Sequence, residues 1–276
     1  MSSEQYPRNR QYPVLQVEEV GMQDGMMTRR DMIKGSIAGV AAAALATSAR
    51  AAGKPTAGGK SACYKADGSF DDGAAKEAYF SMMKALGYPI QDALRTDEFW
   101  ACDFLQRDFA KVGLGGIFWI NEKGLYRDAG VKAYRGEHKD ERYTYFGMEI
   151  YLLPGQMLPE HSHIGNEGVG PKMEAWHVRY GTVDYFGEHK GEGTETLISD
   201  MPKKERPWGC GEPWFKAKYV TKRTASSGKP YVLKDPTSWH FQRAGAEGAV
   251  VTEYATYHNH IRFSKPGMDF AGSKAK

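Results

Sequence analysis

From about residue 111 the chain breaks into short segments rich in aromatic and β-branched residues, each closed off by Gly, Pro, Asp or Lys. "VGLGGIFWINE", "RYTYFGMEIYLLP", "EAWHVRYGTVDYFGE", "FKAKYVTKR", "GKPYVLKDP", "WHFQRAG" and "GAVVTEYATYH" all have this character. Segments of this length bounded by turn formers read as strands. Many in succession, without intervening helices, point to an antiparallel sandwich or barrel and exclude an alternating βαβ chain. No 20–50-residue repeat is present. "VGLGG" (112–116) lacks the rest of a phosphate-binding loop and reads as a strand entry.

Upstream the period is helical. Residues 71–87 carry Asp71 as a cap, an apolar stripe of Tyr79, Phe80, Met83 and Leu86, and a stop at Gly87 with Pro89 beyond. A second short helix is expected from the cap Thr96, with Asp97 and Glu98 in its first turn, to about Arg107.

The N-terminus reads as an address. "TRRDMIKGSIAGVAAAALATSARAAG" sets Arg29 and Arg30, then Lys34, before an apolar run too short to span a bilayer comfortably. It closes on Ala49-Arg50-Ala51, a small-x-small cleavage signal. Thr28 to Lys34 resembles the twin-arginine consensus, with Met and Ile where Phe and Leu are usual. The expected organisation is an export signal over 1–51, a disordered leader over 52–69, a helical segment over 70–110 and a β domain over 111–270. Twin-arginine export carries folded proteins to the periplasm or beyond, which suits a protein that acquires its cofactor in the cytoplasm.

Composition excludes several partners. A net charge of +3 on 276 residues gives no footprint for nucleic acid or an anionic membrane, and 41% hydrophobic with 26% charged residues is ordinary for a globular chain. The three cysteines, Cys63, Cys102 and Cys210, are odd in number and widely spaced, so they make neither a disulfide framework nor a zinc ribbon.

The chemistry concentrates in "PGQMLPEHSHIGNEGVGPKMEAWHVRYG" (154–181). His161 and His163, two apart on a strand, project from one face about 7 Å apart and reach one metal ion. Glu174 opens the next strand and would come beside the pair if the two strands are antiparallel neighbours. Its E-x6-G register, ending at Gly181, reads as a strand running into a turn. Glu167, four residues after His163, offers a competing spacing from a Gly-rich loop. "DPTSWHF" supplies His240 as a fourth candidate after a Pro-containing turn. His177, three residues from Glu174, should face the other way. It reads as an incidental strand histidine, as do His138, His189, His258 and His260.

G-x5-H-x-H, then Glu, x6-Gly and a distant Pro-x3-His resembles the two motifs of the cupin superfamily. Within it, "PGQMLPEHSH", "GPKMEAWHVRYGTVDYFGE" and "WHFQRAGAEGAVVTE" are similar to the D-lyxose/D-mannose family of cupin sugar isomerases, from about residue 111 to 270. The resemblance implies a mainly β jelly-roll barrel holding a divalent metal on His161, His163, Glu174 and His240. Such a set leaves two octahedral positions open and accepts Mn, Fe, Co, Ni or Zn; the resemblance favours Mn. It also implies an aldose–ketose isomerisation through metal polarisation and an enediol. The expected substrate is a small sugar such as D-lyxose or D-mannose, and the expected assembly a homodimer with no stable membrane span. Glu253 in "AVVTEYA" matches the family's catalytic glutamate, the base that moves the C2 proton. Lys172, on the face of Glu174, would orient a sugar hydroxyl.

One position departs from the family pattern. Relatives carry a lysine where this chain has Met148, in "YTYFGMEIYLLPGQ". That substitution keeps two other readings open on the same ligand set: a sugar-binding cupin without turnover, and an Fe-dependent cupin dioxygenase that would consume oxygen with an aromatic or thiol substrate.

Overall fold

The computed structural model describes residues 62–123, 144–165, 170–257 and 260–270. The export signal with Arg29 and Arg30, and also Glu167, His138 and His258, lie outside these residues.

The expected helix is α1 (Asp72–Leu86). Asp71 caps it by accepting from the Ala74 N–H at 3.0 Å. Gly87, at φ 71°, ends it in the left-handed conformation, with the Tyr88 N–H returning to the Met83 carbonyl at 2.9 Å. The second expected helix does not form. A single 3-10 turn, Asp92–Arg95, stops at Thr96, and the chain enters a strand, β1 (Trp100–Cys102). The reason lies in "FWAC". Phe99 and Ala101 are buried in one apolar cluster and Trp100 and Cys102 in another, a period-two alternation that a helix would break. Nor is the stretch just upstream an unstructured leader. Cys63 is buried, and the Tyr64 hydroxyl donates to Asp103 at 2.9 Å, so residues 62–69 are folded onto the body.

The remaining strands are β2 (Leu114–Lys123), β3 (Thr144–Leu152), β4 (His161–His163), β5 (Glu174–Gly187), β6 (Thr196–Leu197), β7 (Tyr219–Thr224), β8 (Tyr231–Val232), β9 (His240–Ala255) and β10 (Ile261–Phe263). They form one antiparallel sheet in the order β1-β2-β3-β9-β5-β7-β6, with β4 and β10 joined to β9 at its start and β8 beside β5. The segments "WHFQRAG" and "GAVVTEYATYH" are a single strand, β9, which pairs with β3, β5 and β4 and forms the spine of the sheet. Residues 245–248 of β9 bulge out of register with β5, so the two halves share one strand across an irregularity that reads in sequence as a turn.

Both faces of the sheet are covered. One carries Tyr151, Ile117 and Val250, packed under Tyr79, Phe80 and Met83 of α1. Tyr79 lies flat over Gly115, where any side chain would collide with its ring, and donates to Gln156 Oε1 at 2.7 Å. The other face carries the larger cluster, with Phe146, Met148, Trp176, Val178 and Val251. Trp100 on edge strand β1 and Trp176 on β5 line one cavity although three strands separate them in the sheet. The sheet must therefore curl around that cavity, as a jelly roll does.

Gly181 does not end β5. At φ 75° it sits in a bulge facing Gly248, at φ 83°, on β9, and a Cβ would be driven into the Gly248 carbonyl oxygen. Gly181→Ala should therefore cost about 2 kcal/mol or more from the left-handed backbone and the clash together. For a chain of this size that lowers the melting temperature by about 4–8 °C. Thermal unfolding followed by circular dichroism checks it.

Candidate metal centre and active site

β4 is only three residues long, yet it is fixed on both sides. It pairs with β10, Ile261 opposite His163 and Phe263 opposite His161, while His161 also faces His240 on β9. Alternation turns both histidines into the cavity and leaves Ser162 on the other face, where its hydroxyl accepts from Arg262 Nε at 3.2 Å. Glu174 arrives differently from the sequence expectation. β5 is not the neighbour of β4: β9 pairs with both, and Glu174 meets the histidines across the cavity. His161, His163, Glu174 and His240 are all buried, and their ligand atoms lie within 4.8 Å of one another. His177 faces away from them, since Trp176 and Val178 take the inner positions of β5.

The tautomers are fixed by the backbone. His161 Nδ1 lies 2.8 Å from the Pro159 carbonyl, and His240 Nδ1 lies 2.9 Å from the Ser238 carbonyl. A carbonyl only accepts, so each Nδ1 carries the proton and each Nε2 presents a lone pair to the interior. His240 Nε2 then faces Glu174 Oε1 at 2.8 Å without a hydrogen bond between them. A cation held between two such buried atoms would serve as partner to both. This donor set of neutral imidazoles and a carboxylate, oriented through backbone carbonyls, fits a divalent metal.

The electrostatics agree. Burial, reinforced by the neighbouring imidazoles of His240 and His163, holds His161 well below the ordinary histidine range. Burial likewise lowers His163. Burial alone would raise Glu174, but His163, Lys172 and His240 hold it well below the usual carboxylate range. His161 and His163 are thereby held neutral and Glu174 charged, the states in which they can ligate a metal.

Beside it lies a second group. Lys172 is buried with Nζ 3.2 Å from Glu174 Oε2 and paired to Glu253 Oε1, its ammonium 4.2 Å over the Phe146 ring. Burial would lower its pKa, yet the two carboxylates raise it, so the lysine stays charged. Glu253 takes a third contact, the Trp176 indole N–H at 3.1 Å. Burial raises its pKa to about 7 even though Lys172 pulls the other way. The residues singled out from sequence, Glu253 and Lys172, thus stand in one cavity with the histidines and Glu174.

Trp176 and Trp100 were not anticipated as site residues. Trp176 was legible, because it lies two residues beyond Glu174 and shares its face; Trp100 was hidden by the helical reading of its segment. Glu160, buried just before His161, is another charge that sequence did not single out. It accepts from the backbone N–H groups of Lys216 and Ala217 at 3.0 and 2.6 Å, tying the loop before β7 to the base of β4.

His240→Ala should remove bound metal and the stabilisation it brings. At a hundredfold excess of metal over its Kd that stabilisation is about 3 kcal/mol, or roughly 5–10 °C in melting temperature. The wild-type protein should show the metal-dependent rise and the variant none, with metal content read by elemental analysis of the dialysed proteins.

Residues 26–46 match the TAT (twin-arginine translocation) pathway signal sequence. The chain is 32% identical over 113 residues to the D-lyxose/D-mannose isomerase of Thermosediminibacter oceani, a match covering 41% of this chain and 56% of that protein. Over 114 residues it is 29% identical to the D-lyxose ketol-isomerase of Cohnella laeviribosi, again 41% of this chain and 56% of the relative. The chain thus spans little more than half the length of these relatives. Among solved structures, the L-ribose isomerase of Cellulomonas parahominis overlaps 70% of this chain and 90% of its own at 16% identity and a TM-score of 0.48. The L-ribose isomerase of Acinetobacter sp. DL28 in complex with L-ribose overlaps 70% and 93% at 19% identity and a TM-score of 0.48. The chain is a relative of proteins named as sugar isomerases, and it carries a twin-arginine signal.

Proposed function

We propose that the protein is an exported, metal-dependent aldose–ketose isomerase acting on a small sugar of the D-lyxose or D-mannose type. The observation that carries this reading is the pairing, in one buried cavity, of a metal-ready cluster with a carboxyl group near its neutral point, the two linked by Lys172. His161, His163, Glu174 and His240 would hold the metal, with manganese as the proposed ion. A bound divalent metal would supply Lewis-acid polarisation of the sugar carbonyl and so acidify the neighbouring C2 proton.

The remaining work falls to the chain. Glu253 accepts the C2 proton and returns it to C1 while the O2 hydroxyl proton passes to O1, which balances the sugar's atoms and electrons and needs no external oxidant. A carboxyl group with a pKa near 7 suits both halves of that transfer. The Trp176 N–H fixes one carboxylate oxygen, so the other is presented in one orientation. Lys172 compensates negative charge as it develops on the substrate and is placed to meet a sugar hydroxyl. The apolar walls exclude water, which strengthens each of these interactions. The active unit is proposed to be a homodimer, the compartment the periplasm or the exterior, and the mature chain to start near Ala52.

Glu253→Gln should keep the metal and most of the sugar affinity, since the amide is nearly isosteric and no ligand is touched. Its kcat should fall by roughly 10²–10⁴-fold with little change in KM, as exchange of the C2 hydrogen with solvent deuterium decays in step. In the unaltered protein kcat/KM should rise with pH through about 7, because a raised carboxyl pKa leaves the base protonated below that value. A flat profile on the acid side contradicts Glu253 as the base. A metal-loaded protein that binds aldoses without turning any over would instead be a sugar-binding relative.

Export is tested separately. Replacing Arg29 and Arg30 by lysine should trap the precursor in the cytoplasm, read by immunoblot of fractionated cells. Unchanged processed protein outside the inner membrane would exclude the twin-arginine route.

A further inference from the structure

The cavity is far more apolar than a polyhydroxylated substrate needs. It lies between β1, β2, β3, β4, β5, β9 and β10. Among the described residues that line it, the polar groups are His161, His163, Glu174, Lys172, Glu253 and the indoles of Trp176 and Trp100. All but one of these are committed. The cluster converges on the metal position, Lys172 bridges the two carboxylates, and Glu253 is engaged by Lys172 and Trp176. Trp100 Nε1 is the exception: it is buried, in a residue 4% exposed, and has no hydrogen-bond partner.

The rest of the wall offers nothing to a hydroxyl. Beyond the ammonium of Lys172 the rings run from Phe146 to Phe118 to Trp100, each 5.5 Å from the next. Met148 and Trp100 together fill the space left by Gly116, where a Cβ would meet both side chains. Ile150, Leu158 and Phe270 complete the lining. With a metal held by the cluster, an aldose bound through its C1 and C2 oxygens would bring its C3 hydroxyl toward Lys172. Its remaining hydroxyls then meet one indole N–H and hydrocarbon. A hydroxyl buried without a partner is penalised, whereas a methyl or methylene in the same place gains contact.

We propose that the cavity selects a deoxyaldose, an aldose whose chain is deoxygenated away from the reacting carbons, over its fully hydroxylated counterpart. This rests on the isomerase reading for the reaction but on the wall alone for the preference. Trp100 Nε1 serves one of the distal hydroxyls that are retained, and Met148 and Phe118 receive the deoxygenated end. Apolar walls discriminate against an added hydroxyl by no more than roughly 10²-fold, so the expected preference is about 10- to 100-fold for one hydroxyl.

The test uses the manganese-loaded mature protein and a matched pair, D-mannose and 6-deoxy-D-mannose, which differ only at C6. Both are measured for kcat/KM and, by calorimetry, for binding. A tenfold or greater preference for the deoxy sugar supports the proposal. Equal values, or a preference for D-mannose, overturn it and leave the isomerase reading standing. If neither sugar is turned over but the deoxy sugar binds at least tenfold more tightly, the isomerase reading fails and the selectivity holds. Absence of binding by both overturns the selectivity as well. Met148→Gln, of similar size but hydrogen-bonding, should shrink the ratio toward one. An unchanged ratio in the folded, metal-loaded variant removes Met148 from the selecting wall.

Discussion

The cavity is organised by the approach of His240 Nε2 to Glu174 Oε1, two buried polar atoms 2.8 Å apart. The backbone carbonyls of Ser238 and Pro159 hold the imidazole protons on the far side of their rings, so the lone pairs cannot turn away. A dry interior makes such an arrangement costly. A divalent cation turns it from a liability into the organising contact of the barrel. The same charge accounts for the neighbouring triad. With Glu253 ionised, Glu174, Lys172 and Glu253 together carry one uncompensated negative charge, which a cation at the cluster would offset.

The strand geometry sets these groups in place at little conformational cost. β9 carries His240 at its first residue and Glu253 near its last, and it pairs with β3, β4 and β5. One continuous strand therefore carries both the proposed metal ligand His240 and the proposed base Glu253. Glu253 is registered opposite both Met148 on β3 and Trp176 on β5, so its carboxylate enters the cavity between a hydrocarbon side chain and an indole donor. That environment explains a carboxyl group titrating near neutrality beside a lysine that would otherwise depress it. Met148 also bears on what the site can recognise, since it presents a thioether to the cavity opposite Glu253.

Much of this was legible in the sequence. Strand character after residue 111, the cap and stop of α1 at Asp71 and Gly87, and the parity of His161 with His163 and of Lys172 with Glu174 all follow from local rules. Each depends on neighbours a few residues away. What failed depended on partners distant in the chain. "TDEFWACDF" has good capping chemistry, yet Phe99 to Cys102 are buried on both sides and form an edge strand, an outcome set by β2 and by α1. The "AGAEG" stretch looks like a turn, but pairing to β5 on either side of it makes it a bulge within one strand. Gly181 looks like a strand end and is a bulge, because Gly248 faces it from β9. The route by which Glu174 reaches the histidines was likewise hidden, since it depends on which strand lies between β4 and β5.

The most direct test of the account is anomalous diffraction from crystals of the protein grown without added chelator, collected on both sides of the manganese absorption edge. The account predicts one strong peak per chain, about 2.0–2.3 Å from the Nε2 atoms of His161, His163 and His240 and from a Glu174 carboxylate oxygen. A peak at a different edge would change the metal and keep the site. No anomalous peak among these four side chains at any transition-metal edge, with His240 and Glu174 sharing a proton or a water instead, would contradict it.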